Sequence, residues 1–267
     1  MVRYLCFAVA SLLLLAVPSV SSLAQDAAPS QVPQEDPASG EATFEDFSDA
    51  QIQQIRAVAL AAILDYPEII EEAAAILQER RSNEALAAIL RDPITPVLGN
   101  PEGDVTLIEF FDYNCGYCRR VAEPLRALIQ ADPALRVLMV EAPILSEESL
   151  AASQASVAAS ILGADYDALH FAIMASNVRA TGESVLSLAE EQGVDRDAVM
   201  ETMDSIPVMA SLAQNYSAMQ AMEIGGTPAF IVGRGNDDGS LSDIVFFPGA
   251  VPVEELELAI ARLREGS

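Results

Sequence analysis

The sequence contains two cysteines, Cys115 and Cys118, that are separated by two residues and follow a run of strand-forming residues. This run, Val105–Phe111, is mostly β-branched, aromatic or aliphatic, as a buried strand requires, and the residues after Cys115 favour a helix. Cys115 would therefore lie at a helix N-terminus, where unpaired main-chain N–H groups and the helix dipole stabilise a thiolate. Cys118, one turn further on, lies on the same side of that helix. The spacing predicts a pair that can carry out thiol–disulfide exchange.

Two other interpretations of this cysteine pair have to be weighed. A structural zinc site needs four ligands, and outside the pair the sequence offers only Cys6 and His170 as sulfur or imidazole donors. Cys6 falls in a segment that we expect to be removed, and we expect His170 to be a partly buried helix residue. Two inert structural thiols are the other alternative, but such thiols have no reason to occupy a strand-to-helix junction. We therefore predict neither a resident metal nor a cofactor.

Two motifs resemble those of a known superfamily. Ile108–Phe111 followed by Cys115–Cys118, which reads CGYC, resembles the active-site strand and helix of the DsbA-like branch of the thioredoxin superfamily. Gly225–Val232, which reads GGTPAFIV, resembles the cis-proline loop of that superfamily. The N-terminal segment is similar to the helical extension of ScsC-like members. The resemblance implies an α/β thioredoxin fold with an all-helical insertion, preceded by N-terminal helices.

The resemblance also implies roles in catalysis for three residues. Cys115 would attack a disulfide and Cys118 would resolve the product. Glu109 lies six residues before Cys115, where DsbA-like proteins resemble one another in having a buried acid. Apolar residues flank Glu109, so its pKa should be raised and its carboxyl could relay the proton of Cys118. A solvated acid at a strand edge is the alternative interpretation of Glu109.

Three further residues are expected to contact the substrate. Pro228, in cis after Thr227, would expose main-chain groups to an extended substrate strand, with Tyr117 nearby. The dipeptide Gly116-Tyr117 has no cation to stabilise the thiolate. We therefore expect a reduction potential between those of thioredoxin and DsbA, on the order of −150 to −220 mV. The same CGYC and Thr-Pro combination resembles that of DsbC-like isomerases.

The N-terminal residues are typical of a secreted protein. Residues 1–24 have a basic start, the apolar run Tyr4–Val17 and a small-x-small cleavage site before Gln25, so they read as a signal peptide. Such a peptide directs export, so we expect a periplasmic protein, and cleavage of the peptide would remove Cys6. Residues 25–47 are rich in Ala, Pro, Gln, Ser and acids without an apolar period, which predicts a flexible linker.

Residues 48–92 have a helical pattern. Ser48 with Gln51 predicts a capping box, and apolar residues then recur at spacings of three and four. Pro67 suits the first turn of a second amphipathic helix. The apolar faces of these helices must be buried, either on their own domain or by self-association. The resemblance to ScsC-like extensions favours a homo-oligomer formed through residues 48–92.

The remaining residues, 93–267, are predicted to form one DsbA-like domain. Leu135–Ala142 reads as a second buried strand, parallel to the first because a helix connects them. Helical patterns fill residues 146–222, as expected for the helical insertion. A turn at Asn236–Gly239 should join two antiparallel strands, so the sheet would be mixed, and Pro252–Arg264 predicts a final helix.

The charge of the chain constrains its partners. There are 40 acidic and 14 basic residues, a formal net charge of −26, and all the basic residues are arginine. Such a field disfavours nucleic acid and anionic membrane surfaces. We therefore expect a periplasmic thiol–disulfide oxidoreductase that acts on unfolded or misoxidised secreted proteins and is reset by a membrane or periplasmic redox partner.

Two functions from other classes remain open. The first is a thiol-based copper protein that holds Cu(I) between Cys115 and Cys118 with the help of another subunit, since soft thiolates select this ion. The second is a non-catalytic interaction or chaperone module that binds through its helical apolar faces. A low pKa of Cys115 and a reducible disulfide would favour the oxidoreductase over both.

Overall fold

The computed structural model describes residues 47–236 and 238–266. The predicted signal peptide, residues 1–24, and all but the last residue of the predicted linker lie outside the described residues. The chain divides into two units, residues 1–61 and 62–267, and each is described by itself. In the described ranges, no helix combines the length and apolar character needed to span a membrane.

The described part of the first unit contains the start of helix α1 (Asp49–Asp65). The main-chain N–H and the hydroxyl of Ser48 donate to Gln51 Oε1 at 3.0 and 2.8 Å. The Gln51 N–H donates in return to Ser48 Oγ at 3.4 Å. This reciprocal pair is the capping box that the sequence predicts. No residue of α1 is buried.

The second unit is built on a mixed sheet of five strands. They are β1 (Val97–Gly99), β2 (Val105–Phe111), β3 (Leu135–Glu141), β4 (Ala229–Gly235) and β5 (Leu241–Phe247), in the order β1-β3-β2-β4-β5. Strands β2 and β3 are parallel, because the helix between them returns the chain to the same edge, and the other pairs are antiparallel. The predicted mixed sheet is confirmed.

Helices pack around this sheet. They are α2 (Glu68–Arg91), α3 (Gly116–Ala131), α4 (Glu147–Ile161), α5 (Tyr166–Ala175), α6 (Gly182–Glu191), α7 (Arg196–Met203), α8 (Ile206–Ala221) and α9 (Val253–Glu265). The side chains before α4 to α7, Ser146, Asp165, Thr181 and Asp195, each accept a main-chain N–H three residues on, which explains why these helices begin there. Helices α4–α8 lie between β3 and β4 and form the expected all-helical insertion.

Both faces of the sheet are buried, because side chains along each strand alternate between them. On the first face, Leu107 and Phe111 join a core with α3, α9 and the helical insertion. On the second face, Ile108 and Phe110 pack with residues of α8 and α2. Strand β2 is therefore buried along its whole length, as its apolar sequence requires.

Helix α2 has two different halves. Leu86 and Ile89 are buried in the core on the second face of the sheet. Gln78 Nε2 and Ser82 Oγ donate to the carbonyl of Ala221 at 2.6 and 2.9 Å. The large exposed apolar residues of the first half are Ile69, Ile70, Ile76 and Leu77. The core of the sheet thus includes part of the segment that the sequence placed before the DsbA-like domain.

Candidate active site

The two cysteines lie where the central strand meets a helix. Strand β2 ends at Phe111, and a turn follows in which the Cys115 N–H donates to the Asp112 carbonyl at 2.9 Å. Cys115 is extended and forms the N-cap of α3. Its side chain therefore lies beside the unpaired N–H groups of the first helical turn, as the sequence predicts.

The surroundings of the two thiols shift their pKa values in opposite directions. A hydrogen bond from the Cys118 side chain is the largest cause that lowers the pKa of Cys115, to about 5, with help from main-chain N–H groups. Burial, followed by the hydrogen bond with Cys115 and the charge of Glu109, raises the pKa of Cys118. Cys115 is 7% exposed and Cys118 is 0% exposed. At neutral pH, Cys115 is a thiolate that keeps slight exposure to solvent, and Cys118 is a fully buried thiol.

Glu109 lies on the same face of the sheet as the cysteines and is fully buried. Neither of its carboxyl oxygens has a hydrogen-bond partner among the described residues. Burial first, and then the negative charge of Cys115, raise its pKa to about 8. The interpretation of Glu109 as a solvated edge acid is therefore wrong, and the carboxyl is protonated at neutral pH.

The cis-proline loop faces Cys115. The peptide bond between Thr227 and Pro228 is cis, as expected. The Cys115 thiol group lies 3.2 Å from the Thr227 carbonyl oxygen. Residues 112 positions apart in the chain are thus brought together in one site.

Tyr117 lies at the rim of the site and is 60% exposed. The sequence offers no cation in the Gly116-Tyr117 dipeptide, but the guanidinium carbon of Arg120 lies 4.2 Å from the centroid of the Tyr117 ring. Arg120 is exposed. The contact gives the rim an aromatic ring with a positive group stacked on it, a pairing that electrostatics favours.

A second buried acid near the site was missed by the sequence analysis. Glu141, at the end of β3, pairs with Phe111 in the parallel register and is buried. Its carboxyl accepts hydrogen bonds from the hydroxyls of Tyr113, Tyr166 and Ser153 at 3.1, 3.2 and 2.6 Å. The sequence does carry one signal for this residue, because an acidic residue within the apolar run of β3 indicates a buried carboxyl group.

His170 is more deeply buried than the sequence predicts. Its ring contacts the rings of Phe111, Tyr113, Tyr166 and Phe171, with centroids 4.8 to 5.6 Å away. Neither ring nitrogen has a partner among the described residues, and burial lowers the pKa of His170 to about 3. Within the described ranges, no cluster of three or more His, Cys, Asp or Glu side chains is arranged to hold a metal ion.

The fold and the site together identify the class of protein. Residues 106–261 match the DSBA-like thioredoxin domain family, and the chain belongs to this family. The resemblance inferred from the two motifs is therefore confirmed.

Similar solved structures agree in fold. A thioredoxin-like oxidoreductase from Silicibacter pomeroyi is 39% identical, with a TM-score of 0.60, and the match covers 67% of this chain and 98% of the other. ScsC of Proteus mirabilis, in a transitional conformation, is 24% identical with a TM-score of 0.56, covering 84% of this chain and 100% of ScsC. The second match supports the fold alone.

The curated relatives are much longer proteins. The Na⁺/H⁺ antiporter NhaA 3 of Salinispora tropica is 27% identical over 171 residues, which are 60% of this chain and 26% of the antiporter. The chain thus spans about a quarter of the length of this relative.

Proposed function

We propose that the chain is a periplasmic thiol–disulfide oxidoreductase that acts on secreted proteins. One observation carries the proposal: the pKa of Cys115 is lowered to about 5 at the N-terminus of α3, while the pKa of its buried neighbour Cys118 is raised. Disulfide exchange needs one cysteine that is a thiolate at neutral pH and attacks first. It also needs a second cysteine that stays protonated until the mixed disulfide has formed, and the opposite pKa shifts of this pair fit both roles.

The reaction follows from these two states. The Cys115 thiolate attacks one sulfur of a substrate disulfide, the S–S bond breaks, and the other sulfur leaves as a thiolate with the electron pair. A mixed disulfide now joins Cys115 to the substrate. Cys118, once deprotonated, displaces the substrate, so that the cysteine pair is oxidised by two electrons and the substrate is reduced by two. The reverse sequence oxidises a substrate dithiol.

Glu109 is proposed to exchange the proton of Cys118. The buried thiol has to lose a proton before it can attack the mixed disulfide, and the charge of Glu109 is among the causes that raise the pKa of Cys118. This electrostatic effect supports the pairing of the two groups in proton exchange. A carboxyl with a pKa of about 8 is also close enough to neutrality to accept a proton and return it.

The substrate is proposed to lie along the cis-proline loop, against Thr227 and Pro228, with Tyr117 at its edge. The distance of 3.2 Å between Cys115 Sγ and the Thr227 carbonyl oxygen supports this position. The natural substrates would be unfolded or misoxidised secreted proteins, and a membrane or periplasmic redox partner would reset the pair.

We also propose that the chain forms a homo-oligomer through residues 48–92 and isomerises disulfides. α1 has no buried residue, although Ile55, Val58 and Leu60 are large and apolar. The first half of α2 exposes four more such residues. Apolar surface of this extent favours a partner. Several sites around one misfolded substrate would suit shuffling of its disulfides.

Trapping experiments with the purified protein test the proposed reaction. Cys118→Ser should accumulate a mixed disulfide with a scrambled substrate, whereas Cys115→Ser should form none. Iodoacetamide should modify Cys115 below neutral pH and leave Cys118 unmodified. Equal alkylation of both thiols would contradict these roles, and tight stoichiometric Cu(I) binding without exchange would favour the copper protein instead.

A further inference from the structure

The turn that presents Cys115 is fastened to the helical insertion. Within the turn, Asp112 Oδ1 accepts the Asn114 N–H at 2.8 Å, and Asp112 Oδ2 accepts the N–H of Leu145, just before α4, at 3.0 Å. The Asn114 amide exchanges hydrogen bonds with the main chain of Ala180, before α6, at 2.9 and 2.8 Å. The backbone conformation before Cys115 therefore depends on contacts from outside the thioredoxin fold.

Tyr113, at the centre of the turn, is held by hydrogen bonds at its main-chain carbonyl and at its side-chain hydroxyl. Its carbonyl accepts Arg119 Nε at 2.7 Å. Its hydroxyl, which is buried, donates to Glu141 Oε1 at 3.1 Å and lies 2.8 Å from Ser156 Oγ. Because Tyr113 is two residues before Cys115, a shift of its ring would move the turn that places Cys115 at the helix N-terminus.

Glu141 is the acceptor at the centre of this network. It is buried, and its two carboxyl oxygens accept from Tyr113, Tyr166 and Ser153. His170, which contacts the rings of both tyrosines, is neutral because burial lowers its pKa to about 3. Hydroxyl donors therefore hold the carboxyl, whose pKa is raised to about 7 by burial. Loss of this acceptor would leave the Tyr113 hydroxyl with Ser156 Oγ alone and would take the acceptor from the buried hydroxyls of Tyr166 and Ser153, which is costly.

We propose that Glu141 is a positioning residue for disulfide exchange: it accepts the Tyr113 hydroxyl and so holds the turn that sets Cys115 at the N-terminus of α3. The inference rests on the proposed function in that Cys115 is the attacking thiol. Glu141 does not contact the sulfur atoms in this role. It acts on the pKa of Cys115 through the geometry of the turn.

Two matched substitutions test this role, because two tyrosines donate to the same oxygen. Tyr113→Phe and Tyr166→Phe each remove one buried hydroxyl that binds Glu141 Oε1, but Tyr113 alone of the two belongs to the turn. Tyr113→Phe should raise the pKa of Cys115 by about one unit, a tenfold loss of thiolate below that pKa. Tyr166→Phe should leave the pKa of Cys115 unchanged. The pKa is measured from the rate of iodoacetamide alkylation against pH.

Substitutions of Glu141 complete the test. Glu141→Met, which removes the acceptor, should shift the pKa of Cys115 as Tyr113→Phe does, and the double variant should shift it no further. Glu141→Gln keeps one acceptor oxygen and should restore most of the parent value. Thermal melting checks that each variant is folded. If Glu141→Met does not fold, the comparison of Tyr113→Phe with Tyr166→Phe still tests the role of Glu141.

The outcomes separate this inference from the proposed function. Equal pKa shifts in Tyr113→Phe and Tyr166→Phe, or no shift in either, would overturn the positioning role. Alkylation needs no disulfide substrate, so a parent protein that fails to exchange disulfides would overturn the proposed function alone. An additive double variant would show that Tyr113 and Glu141 act on Cys115 independently and would also overturn the inference.

Discussion

Glu109 is a carboxyl group that the protein buries without a hydrogen-bond partner among the described residues. If it relays the proton of Cys118, Glu109→Gln should slow the resolution of the mixed disulfide by about a hundredfold, the low end for general acid–base catalysis. The first attack by Cys115 should change much less. Stopped-flow measurement of both steps with a model disulfide checks this. Equal slowing of both steps would contradict the relay.

The same residue should make stability depend on pH. The folded protein keeps on Glu109 a proton that the unfolded chain releases above pH 4.5, because the folded pKa is about 8. The free energy of unfolding should therefore fall as the pH rises from 4.5 to 8, by up to about 1.4 kcal/mol per pH unit from this group. Glu109→Gln should remove this contribution.

Urea unfolding of the oxidised parent and variant measures this dependence, because the thiols do not titrate there and burial, the largest cause of the raised pKa of Glu109, remains. The difference between the two free energies should grow in favour of Glu109→Gln between pH 5 and pH 8. A difference that is constant over this range would mean that Glu109 has an ordinary pKa.

Glu109 and Glu141 show what a sequence can reveal about single residues. Glu109 could be predicted because it lies at a fixed distance before a recognisable cysteine motif and between apolar residues. Glu141 also lies between apolar residues, at the end of β3, but it belongs to no recognisable motif. Its partners, Tyr113 and Tyr166, come from a loop and from α5, and only the folded chain brings them together. Contacts between distant residues of this kind have no local pattern.

At the scale of the elements, α2 contributes to the core of the sheet. Ile89 is fully buried on the second face, whereas Ile76 on the same helix is about half exposed. Ile89→Ala should reduce the free energy of unfolding by about 2–5 kcal/mol, because it leaves a cavity. Ile76→Ala is the matched control and should change it by less than about 0.5 kcal/mol.

Urea denaturation of the two variants at low protein concentration makes the comparison. No loss for Ile89→Ala would contradict the packing of α2 on the sheet. An equal loss for Ile76→Ala would mean that its side chain is covered by another copy of the chain in solution.

The ends of elements could be predicted better than their packing. The capping box of Ser48 and Gln51 was foreseen because both its partners lie within one turn. The sequence also predicts a boundary at Pro93, since proline stops a helix, and α2 ends at Arg91. This boundary predicts that a domain starts at residue 93, but the hydrogen bonds of Gln78 and Ser82 to Ala221 join residues about 140 positions apart. Helical periodicity gives an apolar face and does not say what covers it.

At the scale of the whole molecule, the exposed apolar residues should decide the oligomeric state. Val58 and Leu64 are both 70% exposed. Replacing both with Gln should yield a smaller particle than the parent in multi-angle light scattering, because an oligomer interface loses apolar contacts. Replacing Ile206 and Leu258, which are also exposed, is the matched control and should leave the mass unchanged. A parent of monomeric mass would refute self-association.

Isomerase activity should follow the oligomeric state. The parent should refold a scrambled-disulfide substrate, and the Val58→Gln and Leu64→Gln variant should do so several-fold more slowly, because its sites no longer surround one substrate. Simple oxidation of a dithiol peptide should be alike in both proteins, since each site completes that reaction alone. If the parent and the variant refolded the scrambled substrate at the same rate, the link between oligomerisation and isomerase activity would be refuted. The protein would then be a simple oxidase.

The continuity of α2 makes it a spacer of fixed length and angle. About 30 Å of helix separate exposed Ile69 from buried Ile89, at 1.5 Å per residue. One residue inserted between them would move the exposed apolar residues at the start of α2 by about 1.5 Å along the helix axis. It would also rotate them by about 100° relative to the sheet. The number of residues in α2 therefore sets the direction in which its exposed apolar residues face relative to the cysteine pair.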